Sequence, residues 1–193
     1  MSTEVRAADL TPQPWRNGGG RTRELLAWPA GAGWQIRVSL ADIDADGPFS
    51  AFAGVQRWFA VIEGAGVVLA FAGGAPQRLT TTQGPIAFDG ADAPDCRLVA
   101  GPTRDLNLML RNGTRGAMAR AANGLPWPDQ GPWRWRAVFT SGPARWHGAD
   151  GGVRVLAANT LLHGVGAGSI TADDPARPML WLGADFDPTE APP

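Results

Sequence analysis

Lysine and tyrosine are absent from this chain of 193 residues, so all 17 of its basic side chains are arginine. Their absence excludes Schiff-base chemistry on a lysine amine and proton transfer through a phenol, and leaves guanidinium as the one fixed side-chain cation. Cysteine occurs once, as Cys96, which rules out an internal disulfide framework and a cysteine-based zinc cluster. The two histidines, His147 and His163, lack the short spacing of a ligand pair, so each reads as a solitary polar residue and no metal or other cofactor is expected. No run approaches the roughly 18 apolar residues of a bilayer span, so no membrane partner is expected. A dominant charge is missing too: 17 basic against 18 acidic residues leave a net of −1, no field to hold a polyanion, and nucleic acid is not expected as a partner. These absences point to a soluble, cytoplasmic protein.

What is present is a globular balance, 44% hydrophobic and 18% charged. Glycine (26) and proline (17) interrupt nearly every segment, which leaves little room for long helices and favours short strands joined by turns. In residues 34–40, Trp34, Ile36, Val38 and Leu40 alternate with Gln35, Arg37 and Ser39, the period-2 signature of a two-faced strand. Residues 58–62 and 67–71 flank Glu63-Gly64-Ala65-Gly66 and predict a β-hairpin. Further strands are expected at 77–82, 85–88, 97–100, 105–110, 134–140, 153–157, 160–162 and 179–182. Residues 112–132 read as a connector, with one helical turn near 117–122. The expected fold is therefore all-β, a sandwich or barrel built twice, with few short helices. Residues 1–111 would form the first half, 133–185 a smaller second half, and 186–193 a frayed tail.

The segment PWRNGGGRTRE, residues 14–24, concentrates arginines around a glycine triplet. It is neither a Walker cradle, which requires lysine, nor a dinucleotide fingerprint, which requires G-x-G-x-x-G between strand and helix. A flexible turn is the plain reading, set against a backbone that approaches a ligand among polar side chains. No G-x-S-x-G elbow supports serine–histidine–acid catalysis. In DLNLM, residues 105–109, the polar face of Asp105, Asn107 and Met109 reads by default as an outer surface, with a barrel mouth as the alternative.

The stretch SAFAGVQRWFAVIEG, residues 50–64, resembles the first cupin motif, His-x-His, three or four residues, Glu, six residues, Gly. Here Arg57 and Gly64 keep the second spacing, Ser50-Ala51-Phe52 stand in the His-x-His place, and a guanidinium replaces the metal-binding carboxylate. That exchange repels a divalent cation and suits a planar carboxylate. With PWRNGGGRTRE, VIEGAGVVL and DLNLMLRNG in this order, residues 14–111 resemble the HutD/Ves family. The resemblance implies a cupin-type chain of two barrel-like halves (a bicupin). It also implies a regulatory role in histidine utilisation through a small anionic ligand such as N-formylglutamate or urocanate, or, for the Ves branch, a link to stress responses.

A ligand of that kind needs guanidinium, carboxamide and backbone N–H donors. The candidate binding residues are Trp15, Asn17, Gly18, Gly19, Gly20, Arg21, Thr22, Glu24, Ser39, Ser50, Arg57, Asp105, Asn107 and Met109, with Arg16 as an alternative to Arg21. Two rival readings stay open. One is a metal-free isomerase, lyase or hydrolase using Asp105 or Glu24 as general base; the other is a structural partner in a homodimer.

Overall fold

Alternation of small and branched residues between glycine turns makes strands, and almost nothing else, throughout the computed structural model, which describes residues 2–111, 113–127 and 131–185. β1 (Thr3–Arg6) is followed by a 3-10 turn, Ala7–Asp9, the one helical piece among the described residues. Then come β2 (Gln13–Pro14), β3 (Gly20–Trp28), β4 (Ile36–Ile43), β5 (Gly47–Pro48), β6 (Val55–Glu63), β7 (Val67–Ala70), β8 (Gln77–Leu79), β9 (Ile86–Asp89), β10 (Asp95–Leu98) and β11 (Thr103–Arg111). The rest are β12 (Arg115–Arg120), β13 (Trp135–Thr140), β14 (Ala144–Gly148), β15 (Val153–Leu156), β16 (Thr160–His163), β17 (Gly168–Ala172) and β18 (Met179–Asp185).

The chain divides into two compact units. The first, Leu10–Gly113, pairs a six-stranded sheet of order β2-β3-β4-β11-β6-β9 with a four-stranded sheet of order β5-β10-β7-β8. Its core joins both sheets: Ile43, Phe59, Val61 and Phe88 from the larger meet Val67, Leu69, Leu79 and Cys96 from the smaller. Each such branched or aromatic side chain contributes about 1.5–3 kcal/mol on burial. The second unit, Met1–Asp9 with Thr114–Pro193, has a five-stranded sheet, β1-β16-β13-β18-β12, and a three-stranded sheet, β15-β14-β17. Val138, Leu162 and Trp181 of the larger pack with Trp146, Leu156 and Ile170 of the smaller.

Three expectations change. β6 and β7 do not form a hairpin. The chain crosses from one sheet to the other between them, because Gly64 and Gly66 take φ of +92° and +102° and β6 pairs with β11 and β9, β7 with β10 and β8. The segment expected as connector contains a strand where a helical turn was read: β12 runs antiparallel to β18 from Arg115↔Asp185 to Arg120↔Leu180, so ladder pairing overrides the helix preference of alanine and arginine. The division of the chain also differs, since Thr3–Arg6 pairs with Thr160–His163 and so belongs to the second unit's sheet. The expected tail, 186–193, lies outside the described residues.

Candidate functional site

The glycine triplet closes a tight hairpin between β2 and β3. Trp15 donates its backbone N–H to Gly20 O at 2.9 Å, and Gly18, at φ +71°, donates to Trp15 O at 3.0 Å. Asn17 Oδ1 accepts from Gly19 N at 3.0 Å, an Asx turn that fixes the tip. Gly20 is glycine for space: a Cβ there would lie 2.3 Å from Asp42 O and 3.1 Å from the Trp15 ring. Trp15 is held from its other end by Nε1 donating to Thr22 Oγ1 at 2.8 Å.

Next to this hairpin, the strand registers stack polar side chains in rows on one face of the large sheet. Thr22, Ala41 and Asp105 form one row, Glu24, Ser39 and Asn107 the next, and Arg37, Met109, Arg57 and Phe88 a third. Residues in register share a face, so period 2 sends all of these the same way. All of these except Glu24 and Phe88, together with residues 13–17, Pro48, Phe49, Ser50 and Phe52, line a cavity of about 540 Å³.

Arg57 lies on its floor, 6% exposed, with the rings of Phe49, Phe52 and Phe88 at 5.3, 5.7 and 5.0 Å from its guanidinium carbon. Such contacts stabilise a desolvated cation. Its Nη2 donates to Asn107 Oδ1 at 2.9 Å and its Nη1 to Ser50 O at 3.5 Å, while the buried Nε has no acceptor. Desolvation pulls its pKa down to about 10, with Asp105 opposing and Arg37 adding to the fall, so it remains a cation at neutral pH. Asn107 Nδ2 donates in turn to Asp105 Oδ1. Asp105 is 1% exposed, and burial pushes its carboxyl well above the usual range; Arg57 pulls it back and Asp42 raises it further.

Of the sequence candidates, Trp15, Asn17, Thr22, Ser39, Ser50, Arg57, Asp105, Asn107 and Met109 line this cavity. The default reading of Asp105, Asn107 and Met109 as outer surface is thereby corrected, because the packed core of this unit lies on their side of the sheet: Phe59 and Val61 are their register partners. Gly18, Gly19 and Gly20 shape the hairpin without lining the cavity.

Arg21 does not line it either. Its Nε donates to Asp42 Oδ2 at 3.0 Å, and Asp42 also receives Arg23 Nη1 at 2.9 Å and Arg104 Nε at 2.6 Å, with Arg104 reaching Glu63 at 3.1 Å. Burial raises the Asp42 pKa, but hydrogen bonds from Arg104, Arg23 and Arg21 outweigh it and hold the carboxyl below its usual value. Glu24 is engaged by Arg37, whose Nε donates to Glu24 Oε2 at 2.8 Å, which weakens its standing as a free general base.

The lining also contains Arg37, Phe49 and Phe52, none of them in the expected binding set, and Arg16, expected as the alternative to Arg21. The signal for Arg37 was available, since it shares the polar face of residues 34–40 with Ser39. Arg16 makes no ion pair among the described residues, whereas Arg37 is neutralised by Glu24. The cavity thus offers two cations without carboxylate partners among the described residues, Arg57 buried on its floor and Arg16 exposed in its wall. No group of three His, Cys, Asp or Glu side chains suited to a metal occurs among the described residues, and no helix there is long and apolar enough to cross a membrane.

A HutD family model matches residues 7–173. An uncharacterised 21.2 kDa protein in the hutC 3' region of Pseudomonas putida is 40% identical over 109 residues, 54% of this chain and 56% of that protein. Protein Ves of Citrobacter koseri is 36% identical over 111 residues, 56% of this chain and 58% of its own length. The chain thus spans little more than half the length of these curated relatives. HutD from Pseudomonas fluorescens SBW25 superposes with a TM-score of 0.79 at 30% identity, over 95% of this chain and 98% of that one. Bacterial pirin YhhW from Escherichia coli, at 11% identity and TM-score 0.62 over 95% of this chain and 98% of that one, shares the fold, which is cupin-type.

Proposed function

Because this chain belongs to the HutD family, we propose that the cavity of the Leu10–Gly113 unit binds a small dicarboxylate without a metal ion and that ligand binding moderates histidine utilisation. The observation that carries this reading is Arg57: a buried guanidinium with no ion-paired carboxylate among the described residues, on the floor of a cavity large enough for a metabolite. Sequestering a cation without a paired carboxylate is costly, and a ligand carboxylate supplies the missing countercharge. A second carboxylate would meet Arg16. Between them, Asn107 and Ser39 offer polar groups suited to an amide, and Phe49, Phe52 and Met109 offer apolar wall. N-formylglutamate has this layout, two carboxylates and an amide on a short chain; urocanate has one carboxylate and a planar ring.

The test is calorimetric titration of both acids into the wild type and into Arg57→Gln, with circular dichroism to show that the variant folds. Saturable binding by N-formylglutamate, weakened about 10- to 100-fold in the variant, is expected from loss of a charge-assisted pair. Failure of both acids to bind would overturn the dicarboxylate reading; urocanate binding alone would replace it with a monocarboxylate.

A further inference from the structure

Among the residues that line the cavity, Arg57 and Asp105 are the buried ionisable pair, and neither has an ion-pair partner among the described residues. Asn107 stands between them: its oxygen accepts from Arg57 Nη2 at 2.9 Å, and its amide donates to Asp105 Oδ1. The register explains the arrangement. Asp105 and Asn107 are two residues apart on β11 and share a face, and Arg57 on β6 pairs with Met109, the next residue of that face. Cation and carboxyl are thus held apart by one amide and act on each other through space, without the contact of an ion pair.

A buried carboxyl with no guanidinium against it loses its hydration and gains little in return, so it holds its proton to a higher pH than usual. Burial is the largest cause of that rise at Asp105; the Arg57 cation opposes it and the Asp42 carboxylate adds to it. The other charges nearby are already engaged. On the same face, Glu24 of β3 and Arg37 of β4 neutralise each other at 2.8 Å. On the far face, Asp42 of β4 meets Arg104 of β11 at 2.6 Å. The smaller sheet contributes Cys96 of β10, whose thiol burial pushes up to about 12, so it stays neutral. Ahead of β5, the exposed Asp46 accepts from Leu98 N at 2.8 Å. Arg16 is exposed in the wall, which leaves Arg57 as the buried cation whose field reaches Asp105.

An anion that settles on Arg57 cancels the field that draws the proton off Asp105. The carboxyl then keeps its proton more firmly, and by reciprocity the protonated protein keeps the anion more firmly. We propose that ligand binding in this cavity is coupled to proton binding at Asp105, so that the site takes up a carboxylate and a proton together. The coupling rests on the dicarboxylate reading of the cavity and needs no contact between Asp105 and the ligand. Affinity is full while Asp105 is neutral and falls as pH rises through its titration in the free protein, by at most about tenfold per pH unit for a single proton.

Two measurements on the full chain test this. ¹³C NMR of the aspartate carboxyl carbons, with Asp105→Asn for assignment, follows the Asp105 titration in the ligand-free wild type and in Arg57→Gln. The titration is expected at higher pH in Arg57→Gln, because the opposing cation is gone. A titration that stays in place or moves down would overturn the coupling whether or not any acid binds. Calorimetric titration of N-formylglutamate from pH 5 to 9 then compares the wild type with Asp105→Asn. The ligand carboxylates are ionised throughout this range, and Arg57, with its pKa at about 10, keeps most of its charge. Wild-type affinity is expected to fall at least about tenfold across the range, and that of Asp105→Asn, which still offers Asn107 an acceptor, less than about twofold. A wild-type profile as flat as that of the variant would overturn the proposal and leave the dicarboxylate reading standing; absence of binding at every pH would overturn both.

Discussion

Asn107 Oδ1 accepts a hydrogen bond from Arg57 Nη2 at 2.9 Å, and this carboxamide, instead of a carboxylate, is the closest polar anchor of the buried guanidinium. Because Asn107 also donates to Asp105, its amide satisfies one group on each side with opposite hydrogen-bonding needs. Replacing it by leucine, which is similar in size, strands both. Asn107→Leu is expected to lose about 1–3 kcal/mol of stability in urea denaturation, and more ligand affinity than Ser39→Ala, whose hydroxyl stands on the neighbouring strand.

The arginines at the hairpin separate by role. Arg16→Ala is expected to weaken dicarboxylate binding with little change in stability, because Arg16 has no ion-pair partner among the described residues. Arg21→Ala should leave binding nearly intact and cost a few tenths to about 1 kcal/mol, the usual worth of a half-exposed ion pair. Calorimetry and chemical denaturation of the two variants side by side decide it; equal affinity loss in both would contradict the assignment.

Asp105 makes stability depend on pH in an unusual direction for a carboxylate. Its folded pKa is raised, so between the ordinary value near 4 and the raised one the folded protein keeps a proton that the unfolded chain has lost. Its contribution is complete below pH of about 4 and declines as pH rises, by up to about 1.4 kcal/mol per unit. Asp105→Asn should flatten that decline in denaturation curves taken from pH 4 to 8. Asp42 is the opposite case: its lowered pKa stabilises the fold above the ordinary value, and that gain fades as pH falls through the folded pKa. Asp42→Asn should therefore be destabilised at pH 7 and converge with the wild type in acid.

Gly20→Ala places a methyl group against the backbone of Asp42. The expected loss is about 1–3 kcal/mol, read as a lower melting temperature. Affinity should fall as well, since the same shift displaces Trp15 from the cavity wall. Gly18→Ala strains a left-handed φ but meets no neighbour, so its cost should be smaller, about 1 kcal/mol.

The alternation of β11 and the candidacy of Arg57 were legible in the sequence, because both are local: one is a period-2 pattern, the other a residue at a fixed spacing before a turn glycine; that the polar face of β11 turns inward was not. β3 was not legible. A register shift between Glu24 and Leu26 breaks its alternation, so Leu25 and Leu26 stand side by side and the strand reads as irregular. The apparent hairpin at residues 58–71 misled for a different reason: glycine at positive φ serves a crossing between sheets as well as it serves a tight turn. Arg21 and Arg16 could not be told apart either, since only the pairing of β3 with β4 brings Arg21 opposite Asp42.

The pairing of Thr3–Arg6 with Thr160–His163 has a practical consequence for anyone dissecting this molecule. A gene cut near residue 113 would yield two fragments that each carry the wrong inventory: the leading piece ends up with a spare strand and the trailing piece lacks one. During synthesis the leading strand emerges early and stays unclaimed until its partner is made. The trailing fragment should accordingly be rescued by a synthetic peptide covering residues 2–9, which would turn an edge of the second sheet into a reporter for fragment complementation.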